Sequence, residues 1–558
     1  MKGPRFPTFV ATVVILTMLL GACQSAPAAP TQQPPASVPT KQSPTAVPTQ
    51  PSKPVVVTIG QALEIPTIDP ALWGFTVPVT PAMYALYDAL VESRGNPPEA
   101  KPLLAKSWKV SDDLKEWTFS LDERAKFHDG SPVTAEAVKW SWQRFATLKQ
   151  GMFFVFAGFT DKDTCSVVDE RTVRFTLKQP SIAFLSYVHF VRILNPKVVQ
   201  ANKKDGAFGD EGDYGQAWLV DHEAGSGPFT IERWAPNGEC VLNAVPTYWH
   251  GWPNGKHVDS VVIKLFRELT PRVLALQTGE IDFANFNDIT ADLINQLSKR
   301  ANLATKTHPE WLIWTFQLNN QRGPTADVNV RKAIQYAFDY DGFLPTVPAG
   351  VKVEGPFPKG VQYSVAQDMP KFDLAKAKEY LAKSKYPDGG FTLNVVYTGT
   401  TKLMEQAALV LLEGLKKLNI TLNLVPKTWS EGIAMCAKQE TAPDIFVCTI
   451  GSRTADPDFA VRRAYYSKAW GQFGICSYYK NPEVDTLIEA ASAERDPKVR
   501  ASQYAEIQKL VMADSPEVWW AQPGLVSSYT VKLKGVDTGM GPFSPWCPYL
   551  ADLYVEGQ

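Results

Sequence analysis

The chain has 558 residues, about four times a typical domain, so several domains are expected. Its formal charge of -1 at pH 7 excludes a strong electrostatic pull toward nucleic acid or acidic lipid. A hydrophobic content of 45% is enough for sizeable cores and excludes a wholly disordered chain.

Residues 1–23 have the form of a targeting segment. Lys2 and Arg5 form a charged start, and residues 8–20 an apolar run too short to span a bilayer comfortably. Leu20-Gly21-Ala22-Cys23 resembles a bacterial lipobox, which implies cleavage before Cys23 and lipidation of its thiol; an ordinary secretory signal is the alternative. Residues 24–54 are Pro, Thr, Ser, Ala and Gln of low complexity, unable to bury a core. Fully extended at roughly 3.1 Å per residue, they reach on the order of 100 Å, a fitting tether for a membrane anchor.

Val55 opens a strand to Gly60, and Pro66-Thr67-Ile68-Asp69-Pro70 is a bend. Residues 81–92 have helical apolar spacing. Trp117, Phe119 and Leu121 alternate with polar residues, the period of a strand with one buried face. Asp129-Gly130-Ser131-Pro132 is a turn, and Thr134 caps a helix with Glu136 in its first turn. Val138, Ser141, Trp142 and Phe145 share one face of that helix. Residues 173–177 read as a strand, 181–194 as a buried helix, and 201–223 as a long surface loop.

Gly225-Ser226-Gly227-Pro228-Phe229 is no phosphate cradle: no Lys-Ser/Thr follows and no third Gly stands at dinucleotide spacing. Thr270 is expected to cap a helix stopping at Gly279, with strands on either side. Residues 311–318 form a strand, Asp327 and Asp373 cap helices, and residues 391–450 give a strand–helix–strand–helix–strand run. Such a run implies a parallel sheet with right-handed crossovers, binding ligand at the carboxyl ends of its strands. Those ends are residues 398–402, 426–430 and 451–459. Two helices fill 482–513, residues 518–520 return the chain to its first part, and 524–558 are irregular.

Several separated blocks carry a resemblance. They are Phe127-His128-Asp129-Gly130 with Pro132, Thr134-Ala135, Val138 and Arg144; the Asp69-Pro70 bend; residues 103–108; Gly225 to Phe229 with Trp234; residues 276–282; and residues 327–334. Together they resemble the extracellular solute-binding proteins of family 5, the peptide- and nickel-type binding proteins of ATP-driven importers. The resemblance implies an α/β chain with a two-lobed, periplasmic-binding-protein type II-like fold and an extra subdomain in the first lobe. It divides the chain into signal peptide (1–23), tether (24–54), lobe 1 (55–305, with the extra subdomain about 91–225), lobe 2 (306–519) and a return to lobe 1 (520–558). Solute would be enclosed as the lobes close about a hinge and delivered to ABC permease and ATPase subunits. The partners implied are thus a peptide-like solute, the importer and, through the lipid anchor, a membrane; no nucleic acid is implied, and the protein is expected to be monomeric and extracytoplasmic.

No nucleophile elbow, His-Glu-x-x-His, Walker loop or Cys-x-x-Cys is present, so no enzyme, cofactor or metal site is expected. His250 and His257 are seven apart across a loop and read as structural or solvated. Seven cysteines fit an exported protein. With Cys23 lipidated, six remain, with fifteen possible connectivities; Cys165–Cys240 is the expected pair, and Cys448 a buried thiol.

The resemblance also names ligand residues. Trp429, at the end of the second strand of the parallel run, matches a cleft Trp of peptide binders, with core packing as the alternative. Peptide binders of the family clamp the ligand's amino terminus with an Asp four residues before a Pro; here that position is Arg453, before Pro457. An Arg prefers a carboxylate or phosphate. Either Asp456 takes over the clamp, or the ligand has no free amino terminus, which suits an anionic solute, a glycan or a blocked peptide. Trp73 and Phe75 line the opposite wall or pack in the core. An oligosaccharide, a receptor-linked ligand sensor and an exported hydrolase are the remaining readings; for the hydrolase, Asp456 and Asp458 are the only local acid pair.

Overall fold

The computed structural model describes residues 53–73, 80–95, 98–235, 238–286, 289–399, 401–454, 456–471, 475–537 and 548–557. The signal segment, most of the tether, Cys23, Phe75 and Cys547 lie outside the described residues. No helix among the described residues is long and apolar enough to cross a membrane.

Two large sheets organise residues 54–558. The first has seven strands in the order Leu303–Pro309, Gly524–Thr530, Phe283–Phe286, Val56–Gln61, Ser260–Leu265, Glu239–Ala244 and Phe229–Trp234. Val56–Gln61 runs parallel to both of its neighbours. The second has five strands in the order Thr421–Lys427, Thr392–Thr398, Ile445–Gly451, Leu312–Leu318 and Glu517–Ala521. Its first three are parallel, as the alternating strands and helices require, and the last two add antiparallel. These sheets are the cores of two lobes.

Lobe 1 carries a smaller four-stranded sheet, in the order Ala105–Val110, Glu116–Leu121, Thr172–Thr176 and Cys165–Asp169. Trp117, Phe119 and Leu121 are all buried, as the alternation in Glu116–Leu121 predicts. The helix Ala135–Leu148 covers this sheet, with the Thr134 hydroxyl accepting from Ala137 N–H at 3.3 Å. Trp142 sits between Phe156 and Phe175, at 5.3 Å from each ring. Burying such a side chain contributes on the order of 3 kcal/mol.

Several local expectations change. Residues 518–520 belong to lobe 2, in Glu517–Ala521; the chain returns to lobe 1 one strand later, at Gly524–Thr530. That strand is regular, contrary to the irregular segment expected there. The expected helix over 181–194 is only the turn Phe184–Tyr187 followed by a 3₁₀ turn, Val188–Phe190, because Pro180 and Pro196 bound a segment whose apolar side chains point inward on all sides. Cys165 and Cys240 do not pair: they lie on strands of different sheets in lobe 1. Among the described residues the disulfide is Cys436–Cys476, in lobe 2. Cys448 is a buried thiol, as expected.

Candidate functional site

The separated sequence blocks meet in space. Asp69, from the bend after the first strand, pairs with Arg144 of the helix Ala135–Leu148 through two hydrogen bonds of 2.8 and 2.6 Å. His128 binds Glu223 at 2.8 Å through Nδ1 and the Gly227 carbonyl at 2.9 Å through Nε2. Burial disfavours its imidazolium, but the Glu223 carboxylate outweighs this and raises the His128 pKa. Gly225 and Gly227 lie against the carbonyls of Leu86 and Ala85, where an added Cβ would come to 1.8 and 2.3 Å. The glycine block is therefore close backbone packing.

The lobes meet along one face. The Tyr187 hydroxyl of lobe 1 donates to Asp458 Oδ2 of lobe 2 at 3.1 Å. Ile182 N–H donates to the Ser492 carbonyl at 2.9 Å, and the Phe154 and Phe459 rings are 5.8 Å apart. Between the lobes lies a cavity of about 170 Å³, partly open to solvent. Phe154, Phe159 and Tyr187 line it from lobe 1, and Asp458, Arg462 and Tyr466 from lobe 2. Of the three predicted strand ends, the one after Ile445–Gly451 reaches this cavity, through Asp458 and Phe459.

The loop leading there is held from within. Ser452 Oγ donates to the Thr454 carbonyl at 2.6 Å and the Asp456 carbonyl at 3.2 Å. Both Asp456 oxygens are engaged by Arg500, at 2.7 and 2.8 Å. Asp458 binds Arg462 through two bonds of 3.2 Å and also receives the Ser492 and Tyr187 hydroxyls. Burial pushes the Asp458 carboxyl up, but Arg462 overcomes this and holds it below the usual carboxylate range.

Arg453 is partly buried at the start of this loop. Burial pulls its guanidinium down to about 10, opposed by the charge of Glu310. Glu310, 6% exposed, stands where the chain first crosses between lobes; burial pushes its carboxyl up to about 7, and Arg453 offsets part of that.

Trp429 begins the helix Trp429–Met435, which starts in a capping box between Thr428 and Glu431. It is partly buried, 6.1 Å from the Phe446 ring, and packs on the cluster holding the disulfide. Trp73 is buried in the lobe 1 core. Its indole donates to Thr80 at 3.2 Å, its ring meets Tyr84 edge-on at 5.6 Å, and the Arg192 guanidinium lies 5.3 Å from it. Sequence reasoning missed Glu310, Arg462, Tyr187 and Arg500. Glu310, Tyr187 and Arg500 take their roles from neighbours far along the chain, whereas Arg462 meets Asp458 one helical turn away, a spacing the sequence does show. No group of three or more His, Cys, Asp or Glu able to hold a metal occurs among the described residues.

The sequence pattern of the bacterial extracellular solute-binding proteins, family 5 (middle region), matches residues 99–472. The probable D,D-dipeptide-binding periplasmic protein of Escherichia coli (strain K12) is 31% identical over 499 residues, covering 86% of this chain and 90% of that one. The chain belongs to the family 5 extracellular solute-binding proteins. A glutathione-binding protein of Pectobacterium atrosepticum is 27% identical over 444 residues, 78% of this chain and 82% of its own. The Helicobacter pylori periplasmic binding protein solved in complex with the peptide STSA shares the fold, with a TM-score of 0.75 at 24% identity, over 90% of this chain and 98% of that one. This family 5 protein is thus a two-lobed binder that acts outside the cytoplasm, and its role involves no catalytic step.

Proposed function

We propose that this protein captures a peptide-like solute between its lobes and hands it to the permease and ATPase of an ABC importer. The observation that carries this reading is the 31% identity to a probable dipeptide-binding periplasmic protein across 86% of the chain; the cavity between the lobes supports it. In this reading Trp429 and Arg453 touch solute from lobe 2, and Trp73 and Phe75 shape the wall of lobe 1. Asp456 serves the site by fixing the loop through Arg500. Cys23 carries the lipid that anchors the mature protein, so Cys23→Ala should shift it from the membrane to the soluble fraction.

A second reading is favoured by the acids of the loop. Asp456 and Asp458 are both committed to arginines, which leaves neither to clamp an ammonium, while Arg453 suits an anion. An anionic or amine-free solute, such as a blocked peptide or an acidic glycan, follows. Native mass spectrometry for co-purified solute, with a thermal-shift screen of peptides, glycans and anions, separates the two. A ligand at 100 times Kd adds about 2.7 kcal/mol. Stabilisation by free-amino dipeptides, retained in Arg453→Ala, supports the first reading; stabilisation only by amine-free or anionic solutes, lost in Arg453→Ala, supports the second. A shift with no solute of any class would overturn both.

A further inference from the structure

The chain passes between the lobes twice, at Glu310–Trp311 and at Gln522–Pro523, and these crossings are bonded to each other: Glu310 N–H donates to the Pro523 carbonyl at 3.1 Å. A third segment lies against both. Residues 348–360 leave lobe 2, touch lobe 1 and go back. At one end Gly524 N–H donates to the Pro348 carbonyl at 3.2 Å, and Ala349 packs on the lobe 1 cluster of Val273, Leu276, Phe286 and Val526. At the other end Phe357 is buried in the lobe 2 cluster with Ile313, Tyr504 and Trp519. The segment therefore bridges the lobes without being one of the covalent crossings.

Gln522 ties the three together. Its backbone pairs with Val351 in both directions, at 2.8 and 3.1 Å. Its side-chain amide donates to the Glu310 carbonyl at 2.8 Å and the Lys359 carbonyl at 3.0 Å, while its Oε1 accepts from Lys359 N–H at 2.8 Å. Gln522 is 1% exposed and its bond to the Glu310 carbonyl is buried, so losing that bond leaves an unpaired polar group. A glutamine whose two N–H donors and carbonyl oxygen all engage backbone groups of one crossing strand and one bridging loop is placed to set hinge geometry. It touches no residue of the cavity wall.

We infer that residues 348–360 act as a third, non-covalent hinge strand, and that Gln522 is the positioning residue that fastens it to the two crossings and so limits how far the lobes open. The hinge then has two covalent strands and one buckled strap, and the strap must slide or unfasten whenever the lobes part. The inference does not depend on which solute is bound.

Gln522→Glu tests it. The variant is isosteric and keeps the acceptor for Lys359 N–H, but it loses both donors and sets a carboxylate against the Glu310 and Lys359 carbonyls. In the full chain, spin labels attached through encoded azido side chains at Leu274 of lobe 1 and Leu409 of lobe 2, both exposed, report lobe separation by pulsed dipolar spectroscopy and leave the cysteines untouched. Gln522→Glu is expected to add a longer-distance population while the melting transition remains cooperative. Val351→Pro, which removes the N–H bonded to the Gln522 carbonyl and keeps the glutamine, is expected to shift the distances the same way by less. A cooperative Gln522→Glu chain with the wild-type distance distribution overturns the inference. Should Gln522→Glu not fold, an unchanged distribution in Val351→Pro overturns it equally.

Discussion

Two pairs of buried acids sit in contrasting surroundings. Asp456 and Asp458, on the loop after Ile445–Gly451, each meet an arginine fork. Glu310 and Glu517, at the first crossing and on the last strand of lobe 2, are as deeply buried, and burial drives their carboxyls up to about 7 and about 8, against the opposing charges of Arg453 and Arg463. Burial by itself favours the neutral acid; a bidentate guanidinium reverses this. Arg462 holds Asp458 below the usual carboxylate range, while Glu310 and Glu517 ionise only at about 7 and about 8.

The sharpest way to break this contrast is to remove a fork. Arg500→Ala leaves Asp456 with an unpaired charge in a buried site, and a loss on the order of 3–5 kcal/mol is expected in urea unfolding at pH 7. A loss under about 1 kcal/mol would show that solvent already supports Asp456. The next effect is a slope in pH. Glu517 titrates near its ordinary value when unfolded and at about 8 when folded. Between those values the unfolded chain gives up a proton that the folded chain keeps, so its contribution, complete below the ordinary value, is lost as pH rises to about 8. Glu310 adds to the fall up to about 7. Wild-type stability should therefore drop by a few kcal/mol from pH 5 to pH 8, and Glu517→Gln should flatten much of that drop. An identical slope in the variant refutes the assignment.

A smaller effect is expected across the lobe contact. Tyr187→Phe removes one hydroxyl from Asp458, which keeps Arg462 and Ser492, and should cost about 1 kcal/mol with a modest rise in the rate of solute release by stopped-flow fluorescence. Least of all, Glu310→Gln at pH 6 replaces an acid that is already mostly protonated. A change within about 0.5 kcal/mol is expected there, growing into stabilisation at pH 9.

Local order was legible in the sequence at most places where its cause was local, although the cap expected at Thr270 stands instead at Glu268, without a side-chain hydrogen bond. The alternation at Trp117, Phe119 and Leu121, the caps at Thr134, Asp327 and Asp373, and the parallel run of three strands follow from side-chain period and hydrogen-bonding chemistry within a few residues. What failed in the site and in the disulfide depended on distant partners. Arg500 stands 44 residues from Asp456, and Cys436 stands 40 from Cys476; nothing in either neighbourhood announces the other. The two tryptophans show the same limit. Both follow strand-like segments near turns, yet Trp73 is enclosed by Tyr84, Phe190 and Arg192, while Trp429 is left half-open by the capping box that starts its helix. Only tertiary packing separates them.

The strands that begin and end lobe 2 are neighbours: Phe316 of Leu312–Leu318 lies opposite Val518 of Glu517–Ala521. Lobe 2 is thus a cassette inserted into lobe 1, with entry and exit side by side. Two splice points, next to Trp311 and Gln522, suffice to exchange it between relatives. A chimaera made there would move Trp429, Arg453 and the arginine-paired loop together and leave Trp73 behind in the lobe 1 core, so the two lobes' contributions to solute preference can be measured one at a time.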